Sequence, residues 1–280
     1  MTNSKKAKRF QFWINVVLIL ITLSIILPFV LVFISSLTDE NTLIRNGYSF
    51  FPEKFSFYAY SYIIRQGEKI LRAYGITIFV TIVGTAANLA MSALLAYPLS
   101  IKKLPYRRAI TFFVFFTMLF NGGLVPTYLM YVKYFHIKNT IWALIVPGFL
   151  LSANNVLMIR SYFNTSIPDA LFEAAKIDGC NSIKTLWYVI VPMLKPSLVS
   201  CALFQFMWTS NDVQGPLIYI SNMTKYTHSI YLRMSMDGDT GFQGNRILAM
   251  SLITIIPSLI VFFCAQNSFI DGIAAGGVKG

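Results

Sequence analysis

Long apolar runs with almost no charge dominate this sequence and constrain its fold more than any other feature. The clearest of them cover residues 12–34, 74–97 and 247–266. Each approaches or exceeds the roughly 20 residues that a helix needs to cross a bilayer. Charged residues make up 12% of the chain, about half the share of a typical soluble domain. We therefore expect an integral membrane protein built from helices.

The first apolar run follows a basic N-terminus and predicts a membrane anchor. A secretory signal peptide has an apolar core of only about 7–15 residues and a small-residue cleavage site. This run is longer and ends in Ser35, Ser36 and Leu37, without that site. The chain is therefore expected to enter the membrane from inside the cell.

Three further spans are predicted at about residues 109–132, 141–159 and 196–211, which makes six spans with both termini inside. The positive-inside rule supports this topology, because 13 of the 23 basic residues fall in predicted inner segments. These 13 are Lys5, Lys6, Lys8, Arg9, Lys102, Lys103, Arg107, Arg108, Arg160, Lys176, Lys184, Lys195 and Lys279. The predicted segments are the N-terminus with span one (1–35), an extracytoplasmic loop (36–73), a core of five spans (74–267) containing a cytoplasmic coupling loop (160–195), and a cytoplasmic tail (268–280).

Two of the predicted spans carry unusual polar features. Span two has a stripe of small and polar residues at helical spacing, which favours close helix packing over a substrate-facing surface: Thr77, Thr81, Gly84, Thr85, Asn88 and Ser92. Span three is interrupted by residues 121–123 (Asn-Gly-Gly) and 126–127 (Pro-Thr). Such breaks often mark transporter sites, and a packing kink accounts for them equally well.

The polar stretch from Glu173 to Pro196, between spans four and five, predicts a helical hairpin. Pro168 and Asp169 suit the first turn of its first helix, and Gly179 permits a left-handed exit. Asn181 or Ser182 is expected to cap a second helix, which Pro192 is expected to stop.

One face of the first helix is expected to dock another protein. It combines Leu171, Ala174, Ala175 and Asp178, and the paired alanines allow a close approach.

The spacing of this hairpin resembles the "EAA" loop in membrane subunits of bacterial ABC importers, whose consensus is EAAxxDGAxxxxxFxxIxxPxxxP. The matching residues are Glu173, Ala174, Ala175, Asp178, Gly179, Pro192 and Pro196. Cys180 replaces the usual alanine, and Leu186 stands at or near the aromatic position. The resemblance assigns ATPase coupling to Glu173, Ala174, Ala175, Asp178, Gly179 and Pro192.

The resemblance also implies a fold and a set of partners. The fold is the all-α type I ABC importer permease, with six transmembrane helices and both termini cytoplasmic, in a bacterial plasma membrane. The partners are a second homologous membrane subunit, two ATPase subunits and an extracytoplasmic solute-binding protein. This chain would bind no cofactor itself, since Mg-ATP belongs to the ATPase.

Three further segments resemble sugar importers in particular. The C-terminal Ala-Gly-Gly-Val-Lys-Gly resembles the tail of maltose-type permeases, is predicted to be flexible, and assigns tail coupling to Gly276, Gly277 and Lys279. The segment from Trp208 to Asp212 resembles sugar-importer subunits. The segment from Asn121 to Tyr128 resembles subunits associated with larger oligosaccharides or polysaccharide fragments.

A sugar path is predicted from side chains that combine ring stacking with hydrogen bonding. Gln205, Trp208 and Asp212 share one face of span five, and Asn121 lies beside the break in span three. Each residue also admits a structural role, and Trp208 serves equally well as an interface anchor. An acid near a span end is costly unless it faces water or a partner.

Several other classes of protein are disfavoured. No phosphate-binding Gly-x-x-x-x-Gly-Lys loop is present, so this chain is not expected to be an enzyme and ATP hydrolysis is expected in a partner. The basic residues flank apolar runs and predict no nucleic-acid partner. Cys180, Cys201 and Cys264 lack metal-ligand spacing, and His136 and His228 are both predicted to be solvated.

Two alternative functions remain open from the sequence. One is a permease for a solute such as a peptide or a polyamine, which the sugar-type tail disfavours. The other is a channel or scaffold without an ATPase, which would not need the docking hairpin.

Overall fold

A computed structural model describes residues 5–102, 104–149, 151–236 and 244–277, and most of these residues are helical. The first eight helices are α1 (Lys5–Ser36), α2 (Glu40–Asn46), α3 (Tyr58–Arg65), α4 (Gly67–Ser100), α5 (Arg107–Leu119), α6 (Leu124–Leu129), α7 (Trp142–Phe149) and α8 (Ala153–Ser166). The remainder are α9 (Asp169–Ile177), α10 (Ser182–Lys184), α11 (Val191–Met193), α12 (Lys195–Ser210), α13 (Gln214–Tyr219), α14 (His228–Met236) and α15 (Gly244–Gly277). In these ranges the β pairing is limited to an isolated bridge between Thr38 and Phe55, which confirms the all-α class.

Among the described residues, three helical segments are long and apolar enough to cross a membrane alone: Lys8–Ser36, Gly67–Ser100 and Gly244–Asn267. Two bent pairs qualify if each pair counts as one span: Arg107–Leu119 with Leu124–Tyr134, and Ser182–Met193 with Lys195–Ser210. The predicted fourth span is divided between α7 and α8. A total of six spans and the orientation of the termini therefore stay predictions.

The helices extend further than the apolar runs that predicted them. α4 begins at Gly67 rather than near residue 74, because the intervening Glu68, Lys69 and Leu71 are good helix formers. α15 continues to Gly277, so the expectation of a flexible tail is wrong for residues 274–277. The break predicted in span three is confirmed, since α5 ends at Leu119, α6 begins at Leu124, and the two halves are bent by 106°.

Two compact units divide the chain. Unit 1 comprises the chain up to Ile70 together with Leu232–Ile256, and unit 2 comprises Leu71–Tyr231 and the chain from Pro257 onward. In unit 1, the Arg246 guanidinium lies 5.0 Å from the ring centre of Tyr58 and 4.5 Å from that of Tyr62.

Unit 2 contains two buried apolar clusters. The first, which we call the hairpin cluster, is formed by Ala96, Leu99, Val114, Ala153, Val156, Ile159, Phe163, Ile167, Leu186, Ile190, Leu194 and Cys201. The second consists of Tyr131, Ala143, Tyr219, Ile220, Tyr226 and Ile230. The hairpin cluster joins α4, α5, α8 and α12 to the hairpin between residues 168 and 196, so the hairpin packs on the main helices of its unit.

Candidate functional site: a docking hairpin and two polar faces

The first limb of the hairpin is α9, and its C-terminal end has the geometry that the sequence predicts. The N–H of Cys180 donates to the carbonyl of Ala175 at 2.9 Å, and the N–H of Gly179 donates to that of Lys176 at 3.2 Å. These two bonds form a Schellman motif, which requires a left-handed residue after the helix. Gly179 supplies it with φ = +75°, and a Cβ there would have no atom within 4 Å. The need for glycine is therefore conformational rather than steric.

Both limbs begin close to where the sequence predicts, and the second limb has a side-chain cap. Pro168 lies directly before α9, in an extended conformation at the N-cap position. The Asn181 side chain accepts a hydrogen bond from the N–H of Lys184 at 2.8 Å, so the expectation that Asn181 caps the second limb is confirmed.

The expectation that Pro192 stops the second limb is wrong. After α10 the chain forms a π-helical turn over Thr185–Ile190 and then continues as α11. Pro192 lies in the first turn of α11, where the N–H that proline lacks is not required for an intrahelical hydrogen bond. The limb ends at Leu194, and the chain bends by 82° into α12.

One face of the hairpin is buried against its own unit. Ala175 and Leu186 are buried in unit 2, and Leu171 packs on the hairpin cluster. The prediction that Leu171 and Ala175 face a partner is therefore wrong, because an amphipathic helix buries its apolar stripe first.

The remaining predicted coupling residues are exposed, so they stay candidates for contact with another protein. They are Glu173, Ala174, Asp178, Gly179 and Pro192.

Sequence reasoning missed the exposed apolar residues on the same hairpin, of which three are more than half exposed. Ile177 is 85% exposed, Tyr188 79% and Ile183 64%. Large apolar side chains left in solvent on a polar segment are typical of protein interfaces. A signal was available for Ile177 and Ile183, since each interrupts a charged or polar stretch, whereas Tyr188 lies in an apolar run. The buried face could not be told from the exposed one by spacing alone. We call Glu173, Ala174, Ile177, Asp178, Ile183 and Tyr188 the coupling surface.

The three predicted path residues of span five lie together at the C-terminal end of α12. Trp208 is 80% exposed. The Gln205 amide donates to the Thr209 hydroxyl at 3.1 Å, and the Thr209 methyl would lie 3.9 Å from a Cβ at Gly84. This side of α12 therefore packs on α4, whereas the Trp208 ring is presented outward.

Asp212 follows α12 and caps the short helix α13. Its carboxylate accepts a hydrogen bond from the N–H of Gly215 at 3.2 Å. Burial raises the pKa of this carboxyl, and hydrogen bonds from the N–H groups of Gly215 and Gln214 partly offset that effect. The side chain thus has a structural role as a cap, whatever else it contacts.

The fourth predicted path residue lies in the break between α5 and α6. The Asn121 side chain accepts a hydrogen bond from the N–H of Gly123 at 2.9 Å. This local turn, together with φ = +89° at Gly123, shapes the break. Gln205, Trp208 and Asp212 thus lie near each other along the chain at the end of α12 but have different neighbours, whereas Asn121 is held within its own turn.

The polar stripe on α4 is a packing seam, as the sequence favours. Thr77, Thr81, Asn88 and Ser92 are all buried. The side-chain amide of Asn155, in α8, donates to the side-chain Oδ1 of Asn88 at 2.8 Å. This buried hydrogen bond joins the two helices, whereas the buried hydroxyls of Thr81 and Thr85 in the same stripe have no hydrogen-bond partner within the described part of the chain.

The same seam contains His228, which the sequence wrongly predicts to be solvated. Its backbone N–H donates to the Thr77 hydroxyl at 2.9 Å, and its Nδ1 lies 3.1 Å from the same oxygen. The ring stacks on Tyr74, with 5.2 Å between ring centres. Burial lowers the pKa of His228 to about 4. His136, in contrast, is exposed as predicted.

The tail residues fall at the edge of the described chain. Gly276 and Gly277 form the last turn of α15. Lys279 lies outside the described residues.

These features define a class of protein before any comparison is made. Helices that cross a membrane, two of them sharply bent, and an exposed hairpin between spans are typical of a transport subunit that docks on a partner. The family model described as "Binding-protein-dependent transport system inner membrane component" matches residues 89–269. The chain belongs to this family.

Individual relatives cover nearly the whole chain. Protein LplC of Bacillus subtilis (strain 168) is 35% identical over 269 residues, which is 91% of this chain and 90% of LplC. The polygalacturonan/rhamnogalacturonan transport system permease protein YtcP of the same strain is 31% identical over 289 residues, covering 98% of this chain and all of YtcP.

A solved structure agrees with the fold. One chain of a bacterial ABC transporter involved in the import of the acidic polysaccharide alginate superposes with a TM-score of 0.82 at 25% identity. The match covers 96% of this chain and 99% of that chain, which confirms the permease fold expected from the hairpin.

Proposed function

We propose that this chain is the transmembrane subunit of an ATP-driven oligosaccharide importer. In this role it forms half of the translocation pathway and couples to ATPase subunits through its hairpin. The observation that carries the proposal is the coupling surface, which presents two exposed carboxylates and three highly exposed apolar side chains on the hairpin. Buried hairpin residues tie this surface to α4, α8 and α12, so a force applied to it is transmitted to the main helices.

The substrate class is supported by the relatives. YtcP is named for polygalacturonan and rhamnogalacturonan, and a further relative in Bacillus subtilis is named for arabinooligosaccharides, at 24% identity over 269 residues. We assign a fragment of a plant or microbial polysaccharide to this chain. The partners would be a second permease subunit, two ATPase subunits that hold Mg-ATP, and an extracytoplasmic binding protein.

Reconstitution of the complete importer with its binding protein tests the proposal. Oligosaccharide uptake and oligosaccharide-stimulated ATP hydrolysis are measured for the parent, for Glu173→Gln, and for Glu53→Gln as a matched exposed control. Glu173→Gln is expected to weaken ATPase copurification and stimulation, because it removes a charge from the contact, and Glu53→Gln is not. Equal activity in both variants would overturn the docking role, and stimulation by peptides or polyamines instead of sugars would overturn the substrate class.

Tail coupling forms part of the same proposal. Deletion of residues 276–280 is expected to lower stimulated ATP hydrolysis while the binding protein keeps its affinity for sugar. A control that replaces these residues with an equally long Gly-Ser segment separates the role of chain length from that of Lys279. Unchanged transport in the deletion would contradict a coupling role for Gly276, Gly277 and Lys279.

A further inference from the structure

A basic cavity of about 810 Å³ lies in unit 2, between the start of α5 and the middle of α8. Its described lining holds four cationic side chains and no acidic one: Lys102, Arg107, Arg108 and Arg160. Neither the coupling surface nor the predicted sugar path includes any of these residues, so the proposed function leaves the cavity unexplained.

Two of the cations are fixed close together by a shared acceptor. The Nε of Arg107 donates to the carbonyl of Leu99 at 2.9 Å, and the Nε of Arg160 donates to the same carbonyl at 3.1 Å. Each guanidinium has five N–H donors, so one bond apiece leaves most of its donors for a ligand. Like charges held together in a partly buried site favour an anion that pairs with both.

The start of α5 adds to the positive field. Its first N–H groups have no acceptor within the helix, and the helix dipole places positive partial charge at this end. Tyr106, at the N-cap position, provides no side-chain cap. Helix ends of this kind bind phosphate groups, and here the helix end coincides with the side-chain cations.

The rest of the cavity lining includes large apolar side chains. Phe112 and Phe115 lie one and two turns further along α5 and are both exposed, and Leu157 of α8 lines the cavity beside them. The ligand therefore needs both an anionic group and an apolar part. Free phosphate or a nucleotide would leave the aromatic side chains uncovered. A phospholipid covers both the cationic and the aromatic side chains of the lining.

The location of the cavity agrees with a lipid at the membrane surface. Leu99, near the end of α4, belongs to the hairpin cluster, and Leu104, between α4 and α5, packs against it. The cavity therefore lies at the same end of unit 2 as the hairpin. That end is cytoplasmic under the proposed function, and basic pockets between transmembrane helices on the cytoplasmic side bind anionic headgroups.

We propose that this cavity binds the headgroup of an anionic phospholipid of the inner leaflet, such as phosphatidylglycerol. Arg107, Arg108 and Arg160 contact its phosphate, and its acyl chains lie along Phe112 and Phe115. The bound lipid would neutralise the cation cluster and fix the junction of α4, α5 and α8 beneath the hairpin.

Native mass spectrometry of the complete importer, purified from nanodiscs, tests the inference. The nanodiscs contain phosphatidylcholine alone or phosphatidylcholine mixed with phosphatidylglycerol, and retained lipid is counted in each case. The parent is expected to retain phosphatidylglycerol selectively. Arg108→Gln is expected to weaken retention about fivefold, since one cation near the surface contributes about 1 kcal/mol. The double variant that combines Arg107→Gln and Arg108→Gln is expected to weaken retention more strongly.

Matched variants keep the test independent of folding. Arg108 is exposed, so its replacement should not disturb the core, and Arg108→Lys should restore retention because a membrane-surface contact needs charge more than fork geometry. Lys138→Gln removes an exposed cation elsewhere in unit 2 and should leave retention unchanged.

Three results would overturn the inference. They are equal retention of both lipids, displacement of phosphatidylglycerol by millimolar inorganic phosphate, and loss of the ATPase subunits from Arg108→Gln with lipid retention unchanged. The last result would make the cavity a protein interface. Lipid retention is measured without sugar, so its failure is distinct from failure of the proposed function.

Discussion

The seam on α4 and the hairpin between residues 168 and 196 are both polar, but they use their polar groups in opposite ways. In the seam, Asn88 is bonded to Asn155 and Thr77 to His228, all buried. In the hairpin, Glu173 and Asp178 are exposed. Packing accounts for polar side chains that are paired within the chain. Exposed polar side chains beside exposed apolar residues are typical of a surface that binds a partner.

This difference separates folding from coupling. A seam variant should reduce the stability of the subunit and spare the activity of whatever folds. A hairpin variant should leave the subunit folded and impair its communication with an ATPase. Variants in each region test whether folding and coupling are separable.

Gly179→Val is expected to abolish coupling. Valine at φ = +75° costs up to about 3 kcal/mol, so the turn that positions the coupling surface is populated about a hundredfold less. Oligosaccharide-stimulated ATP hydrolysis of the reconstituted importer measures the loss, and membrane content of the subunit should be unchanged. Gly179→Asn is the matched control, because asparagine tolerates the left-handed region. A fully coupled Gly179→Val importer would contradict the role of the hairpin in coupling.

Trp208→Ala and Asp212→Asn should each reduce transport about tenfold with the complex still assembled. Asparagine still accepts the hydrogen bond from Gly215 and so retains the cap, while the lost charge removes about 1.5 kcal/mol from a contact with sugar hydroxyls. Uptake is compared with basal ATP hydrolysis, which should not change. Met207→Ala, which shortens another exposed apolar side chain of α12, should have little effect. Transport at the parental rate in both variants would place the sugar path in the partner subunit.

The sequence predicted the class of fold and the hairpin because both depend on local patterns. Apolar run length fixed the long helices, the Asp-Gly pair fixed the turn at Gly179, and the Gly-Gly pair fixed the break after Leu119. Local patterns failed where distant residues decide the outcome. Ala175 is buried by residues of other helices, and His228 is buried by Tyr74 and Thr77, about 150 positions away in the sequence. Pro192 was misread because a π-helical turn shifted it into the first turn of α11.

Asn155→Ala should lower the stability of the subunit by about 1 kcal/mol. The variant removes the donor to Asn88, and membrane-buried hydrogen bonds of this kind contribute roughly 0.6–1.7 kcal/mol. Thermal unfolding of the purified importer measures the shift. Asn154→Ala is an unusually close control, since it removes an exposed amide from the adjacent position. If the two variants unfold at the same temperature, the hydrogen bond between Asn155 and Asn88 does not contribute to the stability of the subunit.

The smallest expected effect is a loss of stability on mild acidification, caused by His228. Burial lowers the pKa of this side chain from 6.5 to about 4 in the folded chain. Its stabilising contribution is therefore complete above about pH 6.5 and is lost as the pH falls toward 4, since the unfolded chain takes up a proton that the folded chain does not. Between pH 7 and pH 6 the loss is about half of the maximal 1.4 kcal/mol per pH unit.

The measurement that isolates this effect compares two histidine variants. The unfolding temperature is recorded at pH 7 and at pH 6 for the parent, for His228→Gln and for His136→Gln. His228→Gln should reduce the pH dependence, because glutamine does not titrate and its amide can still bond to Thr77. His136→Gln should leave the dependence unchanged, because that ring is already in solvent. An identical pH dependence in all three proteins would mean that the pKa of His228 is the same in the folded and the unfolded chain, which would contradict the burial of a neutral ring in the seam.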